Sequence, residues 1–433
     1  MTLRGKTIKN PTGTRRRRIT KKQSPEKSAR FIQYQKDRRA AKSVIPYLRE
    51  LRNPSMNTYK KARDMVVRLV LEAPPRGITT LDRLLFYECM NLSVQHLPGY
   101  ATLDSNHIEQ ISSLIKTIER YIGDSSQQRP LNLLMLASPG AGKSHFIKCV
   151  ASRLASHSVR AITFNMTSME SNDDLITPLD AARNLKVEDR LPLLFFDEFD
   201  SSPSNFALLL PLLWDGSLNV GQRDLRLGKV IIVMAGSDPS LPETMDNARS
   251  MRCEAPTGAG HNPKLIDLFS RINGGILSIP PFYDSTRQID RRADKVCIAI
   301  QLLKNRFGKN LVLVPLSLLR FIATTQFRYD VRSIAHLIDL IPYRANAEKL
   351  SVEHLSLPLS SAPRLKESSL AYHLLHEDQA LGIIKNWEES IKNKEFMPIK
   401  SDIYLNLSEL VTEPHLDFYL RYRINEITMQ LAQ

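Results

Sequence analysis

The chain has 433 residues, 42% hydrophobic and 24% charged, the balance of a globular protein with room for two or three domains. No apolar run approaches the ~20 residues of a bilayer-spanning helix, and the basic N-terminus lacks the apolar stretch of a secretory signal. Of the net charge of +15, residues 1–42 carry +13, because fifteen Lys or Arg there face only Glu26 and Asp37.

Residues 1–43 read as a flexible basic arm with too little apolar surface to offset the entropy of ordering. Its densest part is Arg15 to Arg18 followed by Lys21 and Lys22. Phosphate contacts from these side chains, with Phe31 and Tyr34 among Arg30, Lys36, Arg38 and Arg39 available for base stacking, make nucleic acid the expected partner. A nuclear address, an anionic membrane surface and a plain solubility tail fit the same composition. Residues 44–96 read as helical, broken at Pro54 and at Pro74–Pro75.

Residues 97–281 change texture. Ile108, Ile111, Leu114, Ile115, Ile118 and Ile122 share one face of an amphipathic helix. Five short apolar runs follow, Leu131–Ala137, Val159–Asn165, Leu191–Phe196, Lys229–Ala235 and Gly275–Ile279. Each suits a strand buried on both faces, and helical stretches alternate with them. The expected fold class is α/β, a parallel sheet with helices on both faces. Residues 282–345 return to helix, and residues 346–433 are mainly helical without an assignable fold. There His373, His376, Glu377 and Asp378 read as a polar helix face, with a metal site as the alternative their helical spacing allows. Trp214 and Trp387 read as packing residues. Cys89, Cys149, Cys253 and Cys297 are far apart with no CxxC pair, so a reducing, cytoplasmic setting is expected.

The first apolar run leads into ASPGAGKS, Ala137 to Ser144, and then a helix beginning near His145. Strand, Gly-rich loop and helix is the context of a phosphate-binding loop. Gly140 and Gly142 let the backbone curl so that N–H groups converge on one anion, and the helix N-terminus adds partial positive charge. Ser138, Pro139, Gly140, Ala141, Gly142, Lys143, Ser144 and His145 are therefore the expected ATP-binding loop. Lys143 would reach the β and γ phosphates and Ser144 would hold Mg²⁺. Ala137 replaces the first Gly of the GxxxxGK[ST] pattern, a small change that the loop should survive.

LPLLFFDEFD, Leu191 to Asp200, is an apolar strand that stops at two carboxylates, which a buried strand end does not carry without a charged partner. Asp197 is placed to hold Mg²⁺ and Glu198 to deprotonate the attacking water. Asp200 reads as a helix cap.

With both motifs present, residues 97–345 resemble the AAA+ family of P-loop ATPases. The resemblance implies an α/β nucleotide domain, a helical lid over residues 282–345, and a homo-oligomeric ring sharing ATP sites between subunits. KVIIVMAGS ends at Ser237, where the family places a γ-phosphate sensor. LIDLFSRI makes Arg271 the candidate arginine finger, with a surface ion pair as the alternative. YDVRSI makes Arg332 the second sensor, with Arg328 as competitor. Asn165 matches a residue that restrains the catalytic glutamate, though a plain strand-end Asn is as good a reading. Leu209 to Gly228 reads as a helix running into a Gly-bounded hairpin, similar in layout to bacterial enhancer-binding ATPases; Arg223 and Arg226 would face a ring pore or simply solvent. TSMESNDD, Thr167 to Asp174, lacks the aromatic pore residue of protein unfoldases. The expected function is ATP hydrolysis by a DNA-associated motor, loader or regulator. The alternative is a protein-remodelling ATPase or a nucleotide-gated switch acting on a protein partner.

Overall fold

Each of the five apolar runs is a strand. In a computed structural model of the chain, the described residues are 50, 54–71, 80–169, 171–220, 223–238, 241, 263–282, 290–307, 313–339, 341, 374 and 404–406. The arm, most of the C-terminal region, the His373–Asp378 cluster and Trp387 lie outside them. None of the described helices is long and apolar enough to cross a membrane.

Ahead of the sheet come α1 (Met56–Leu71), α2 (Thr80–Ser93) and α3 (Ser105–Gly123). The sheet and its connections run β1 (Leu131–Ala137), α4 (Lys143–Arg153), β2 (Val159–Asn165), α5 (Ile176–Val187), β3 (Leu191–Asp197) and α6 (Pro203–Asp215). A hairpin of β4 (Ser217–Val220) and β5 (Arg223–Arg226) precedes β6 (Ile231–Gly236), α7 (Pro263–Ser270) and β7 (Gly275–Ile279). The strand order is β2-β3-β6-β1-β7 with every pair parallel.

The period-two alternation of a strand sorts the core onto two faces. Leu134, Leu136, Leu194, Phe196, Ile232 and Met234 pack with Leu209, Leu213 and Leu268 on one face. Leu133, Met135, Leu193, Phe195, Ile231 and Val233 pack with Ile111, Ile115, Phe146 and Val150 on the other. Both faces are covered, which is why the strands read as unbroken apolar runs. Asp104 caps α3 by accepting from Asn106 N at 3.0 Å and His107 N at 3.1 Å, which starts the predicted amphipathic helix.

The segment expected from the family resemblance to be the lid comprises α8 (Arg292–Phe307), β8 (Leu313–Pro315), α9 (Leu316–Thr324) and α10 (Asp330–Asp339). The N-terminal α1 packs against α8 and α9, and Arg320 Nε donates to Val70 O at 3.0 Å. A strand from the C-terminal region, β9 (Tyr404–Asn406), pairs antiparallel with β8, and Leu374 O accepts from Arg328 N at 3.0 Å. These elements are thus joined to segments that precede and follow them in the chain.

Candidate active site

Ligands of open α/β sheets bind beyond the carboxyl ends of the strands. Here β6 separates β1 from β3, with Leu136 level with Gly236 and Asp197 level with Ala235. The Gly-rich loop and the acidic turn therefore emerge side by side. Gly140 and Gly142 have φ of +88° and +94°, a region where other residues are strained. Gly142 directly precedes α4, so the helix begins at Lys143, two residues earlier than expected, and no side chain caps its first turn. Those N–H groups are left for an anion.

Lys143 is 7% exposed, and its Nζ has no hydrogen-bond partner among the described residues. Ser144 Oγ donates to Asp197 Oδ2 at 2.9 Å, while Asp197 Oδ1 is buried without a partner among them. A buried ammonium and a buried carboxylate oxygen, each unsatisfied and set around a hydroxyl, fit a polyphosphate with a hard divalent cation. The residues present fit Mg²⁺ and the phosphates of a nucleotide.

Glu198 follows at φ +56° and begins the tight turn Phe199–Ser201. Asn165 is level with Asp197 on β2, and its Oδ1 caps the turn Met166–Ser168 by accepting from Thr167 N at 3.0 Å and Thr167 Oγ1 at 2.8 Å. Ser237 leaves β6 close by. Asp200, read from sequence as a cap, caps no helix among the described residues. Its Oδ2 accepts from Ser237 N at 2.8 Å and Asp238 N at 2.7 Å, across a gap in sequence that a local rule does not see.

The lid meets the loop directly. Arg332 N donates to Gly140 O at 3.1 Å, and a Cβ on Gly140 would stand 2.4 Å from Tyr329 O. Ser138 Oγ donates to Asp330 Oδ2, and the other oxygen of Asp330 accepts from Phe282 N at 2.8 Å. The Arg332 side chain is exposed beside the loop. A 250 Å³ cavity opens next to the loop, walled by Gly99–Thr102, by Gly142 and His145, by Ile279 and Phe282, and by Ile298, Gln301 and Asn305 of α8. His145 Nε2 donates to Gly99 O at 3.0 Å, which joins the Gly-rich loop to this wall.

Arg291 also lines the cavity, at 7% exposure, 2.7 Å from Asp104 and 3.2 Å from Asp294. Asp294 accepts from Thr102 Oγ1 at 2.9 Å and Leu103 N at 2.7 Å, so α8 is tied to the cavity wall. Behind it Lys295 donates to Thr325 O at 2.6 Å, and burial pushes its ammonium down to about 8. His96 and His107, on the far side of Tyr100, are pushed down to about 4 and about 3, chiefly by burial.

Arg271 lies elsewhere. It pairs with Asp267 at 3.2 Å, donates to Leu210 O at 2.6 Å and sits 5.8 Å from the ring of Trp214, which Arg129 approaches to 4.5 Å. Trp214 is 47% exposed, so it is a surface platform for two arginines and not the packing residue expected. The Arg271 carbonyl accepts from Asn132 near the start of β1. Five residues of strand at about 3.3 Å each separate Asn132 from Ala137, so the Arg271 carbonyl lies roughly 16 Å from the start of its own loop.

Residues 133–258 match the model of the ATPase family associated with various cellular activities, AAA. The chain contains an AAA domain. Nucleotide binding and ATP hydrolysis are the activities of that family, and the parallel sheet with its flanking helices is its fold. Among solved structures the chain is similar to NtrX from Brucella abortus in complex with ADP, at 14% identity and a TM-score of 0.37. The match covers 66% of this chain and 61% of that one. No curated protein matches the sequence.

Several residues around the AAA site escape sequence reasoning. Asp330 stands within the quoted YDVRSI, but only a fold brings it to Ser138. Arg291 and Asp294 sit in the charged run DRRADK, which reads as a solvated helix start until burial is known. Arg223 and Arg226 are exposed on the predicted hairpin, and Arg223 lies 3.8 Å from Asp180 on α5.

Proposed function

We propose that the chain is an Mg²⁺-dependent ATPase that works as a homo-oligomeric ring on nucleic acid. The observation that carries the catalytic half is the buried Lys143 ammonium, without a hydrogen-bond partner among the described residues, next in sequence to Ser144, whose hydroxyl donates to Asp197. Lys143 and the N–H groups of the loop bind the β and γ phosphates. Ser144 and Asp197 would hold Mg²⁺, which when bound would supply positive charge against the charge developing on the phosphates. Glu198 accepts the proton of the attacking water. Ser237 and Arg332 contact the γ phosphate, and Asn165 restrains Glu198 through its amide, since Thr167 occupies its carbonyl oxygen. The cavity under α8 takes the base. Arg271 is too far from its own loop to serve it and completes a neighbouring subunit's site.

The nucleic-acid half rests on charge. Residues 1–42 hold +13 of the net +15, so most long-range attraction to phosphate comes from the arm. ATP turnover is measured with duplex DNA, single-stranded DNA and RNA, using the intact chain and one lacking residues 1–42. Stimulation of the intact chain by one of them is expected. The truncated chain should keep its basal rate and show a flatter salt dependence of binding, the duplex slope being about −0.9 per phosphate neutralised. If the intact chain binds no nucleic acid at low salt, the partner is a protein. Glu198→Gln should keep ATP binding and slow hydrolysis by about 10²–10⁴-fold. Turnover near the parent rate would mean that another group activates the water.

A further inference from the structure

We infer that Asp200 is a positioning residue that locks the turn carrying Glu198 to the end of β6, and so sets Glu198 and Ser237 against each other. The inference rests on the reading of Glu198 as the group that activates water. One carboxylate oxygen, Asp200 Oδ2, accepts from two successive N–H groups, those of Ser237 and Asp238. Two donors on one ionised oxygen fix the direction in which the chain leaves the sheet at Ser237.

The other side of the contact is built as tightly. Gly236 is buried, and a Cβ there would stand 2.6 Å from Leu241, 2.8 Å from Phe199 and 3.1 Å from Asp200 Oδ2. Only a residue without a side chain lets the turn close on the strand this way. Phe199, fully buried, packs on Phe206 at 5.9 Å between ring centres, and Asn205 Nδ2 donates to its carbonyl at 3.3 Å. Glu198 itself holds φ +56°, which a non-glycine residue keeps only where its surroundings enforce it. The β3 register fixes it from one side and the Asp200 clamp from the other. Loss of the clamp would let Glu198 relax while the phosphate-binding loop stays intact, since the two N–H groups that Asp200 holds lie on the chain leaving β6.

The test compares Asp200→Ala, Asp200→Asn and Gly236→Ala with the parent, measuring kcat, KM and the separate affinities for ATP and ADP. Asp200→Ala should lower kcat by about 10–100-fold, the cost of roughly 1 Å of misplacement. ATP affinity should stay within about threefold of the parent, since kcat alone reports what is made only in the transition state. The preference for ATP over ADP should shrink as Ser237 drifts. Asp200→Asn, whose amide oxygen still accepts, should recover most of the rate. An Asp200→Ala variant with the parent kcat, or an equal loss in the Ala and Asn variants, would overturn the inference. If Asp200→Ala does not fold, Gly236→Ala decides, because its methyl wedges the same contact open. A fall in kcat with affinity kept supports the clamp, and no fall overturns it. Glu198→Gln is run in parallel: if it turns over normally the reading of Glu198 fails, whereas an inactive Glu198→Gln beside a fully active Asp200→Ala defeats the clamp alone.

Discussion

Lys143 and Arg291 are equally buried cations, each 7% exposed, and the chain treats them in opposite ways. Arg291 forms an ion pair with both Asp104 and Asp294, and Asp294 Oδ1 also accepts from Thr102 and Leu103, although Arg291 Nε and Asp294 Oδ2 have no hydrogen-bond partner among the described residues. Lys143 has no partner among the described residues, and nearby Asp197 keeps one oxygen unpaired. Burying an ion costs several kcal/mol unless a counter-charge and hydrogen bonds offset it. The matched cluster therefore serves as a joint between the cavity wall and the lid. On the proposed function the second cluster is a socket, whose charges would gain partners when nucleotide binds.

The largest effect expected of this contrast is at the joint. Arg291→Met leaves Asp104 and Asp294 buried without their cation, and unfolding free energy should fall by about 3–5 kcal/mol in denaturant titration. A fall below about 1 kcal/mol would mean the carboxylates find other partners, and the contrast with Lys143 would lose its basis.

Gly140→Ala should act where socket and lid touch. It places a side chain at φ +88° and a methyl 2.4 Å from Tyr329 O. The strain should cost about 1–3 kcal/mol and weaken nucleotide binding by a similar factor. Unchanged affinity in a fluorescent-nucleotide titration would show that loop and lid are not fitted to each other.

The smallest effect is acid sensitivity beside the cavity wall. His96 and His107 are held neutral, with folded values of about 4 and about 3 against 6.5 when unfolded. Between those values and 6.5 the unfolded chain binds more protons, so stability is complete above pH 6.5 and falls as pH drops. By pH 5.5 each histidine should cost about 1.4 kcal/mol. The thermal midpoint of a variant with Asn at both positions should therefore fall less between pH 7 and 5.5 than that of the parent. Equal falls would assign the acid loss to other groups.

The contrast between joint and socket also marks what was legible in the sequence. The five strands are readable because burial on both faces makes each an unbroken apolar run, and the loop because its curl needs glycine at two positive φ angles. Asp197 and Glu198 stand out because an apolar strand ends on them. Contacts made by topology are not readable. Asp330 meets Ser138 from 192 residues away and Arg291 meets Asp104 from 187. Asp200 looks like a cap because its partners, 37 and 38 residues downstream, come close only when β6 lies beside β3. Arg271 stands in the segment LIDLFSRI that the resemblance singles out, but its pairing with Asp267 and Trp214 depends on how α6 and α7 pack.

Thermal unfolding of Lys143→Met, with and without Mg²⁺ and ATP, tests the socket most directly. Removing an unmatched buried cation relieves a cost in the nucleotide-free protein and removes the contact that makes nucleotide binding tight. Without nucleotide the variant should unfold at or above the midpoint of the parent. ATP at about 100 times its Kd should stabilise the parent by about 2.7 kcal/mol and leave the variant nearly unmoved. A variant that unfolds several degrees lower without nucleotide, or that gains the parent's full upward shift with it, would contradict the assignment of Lys143 to a phosphate socket.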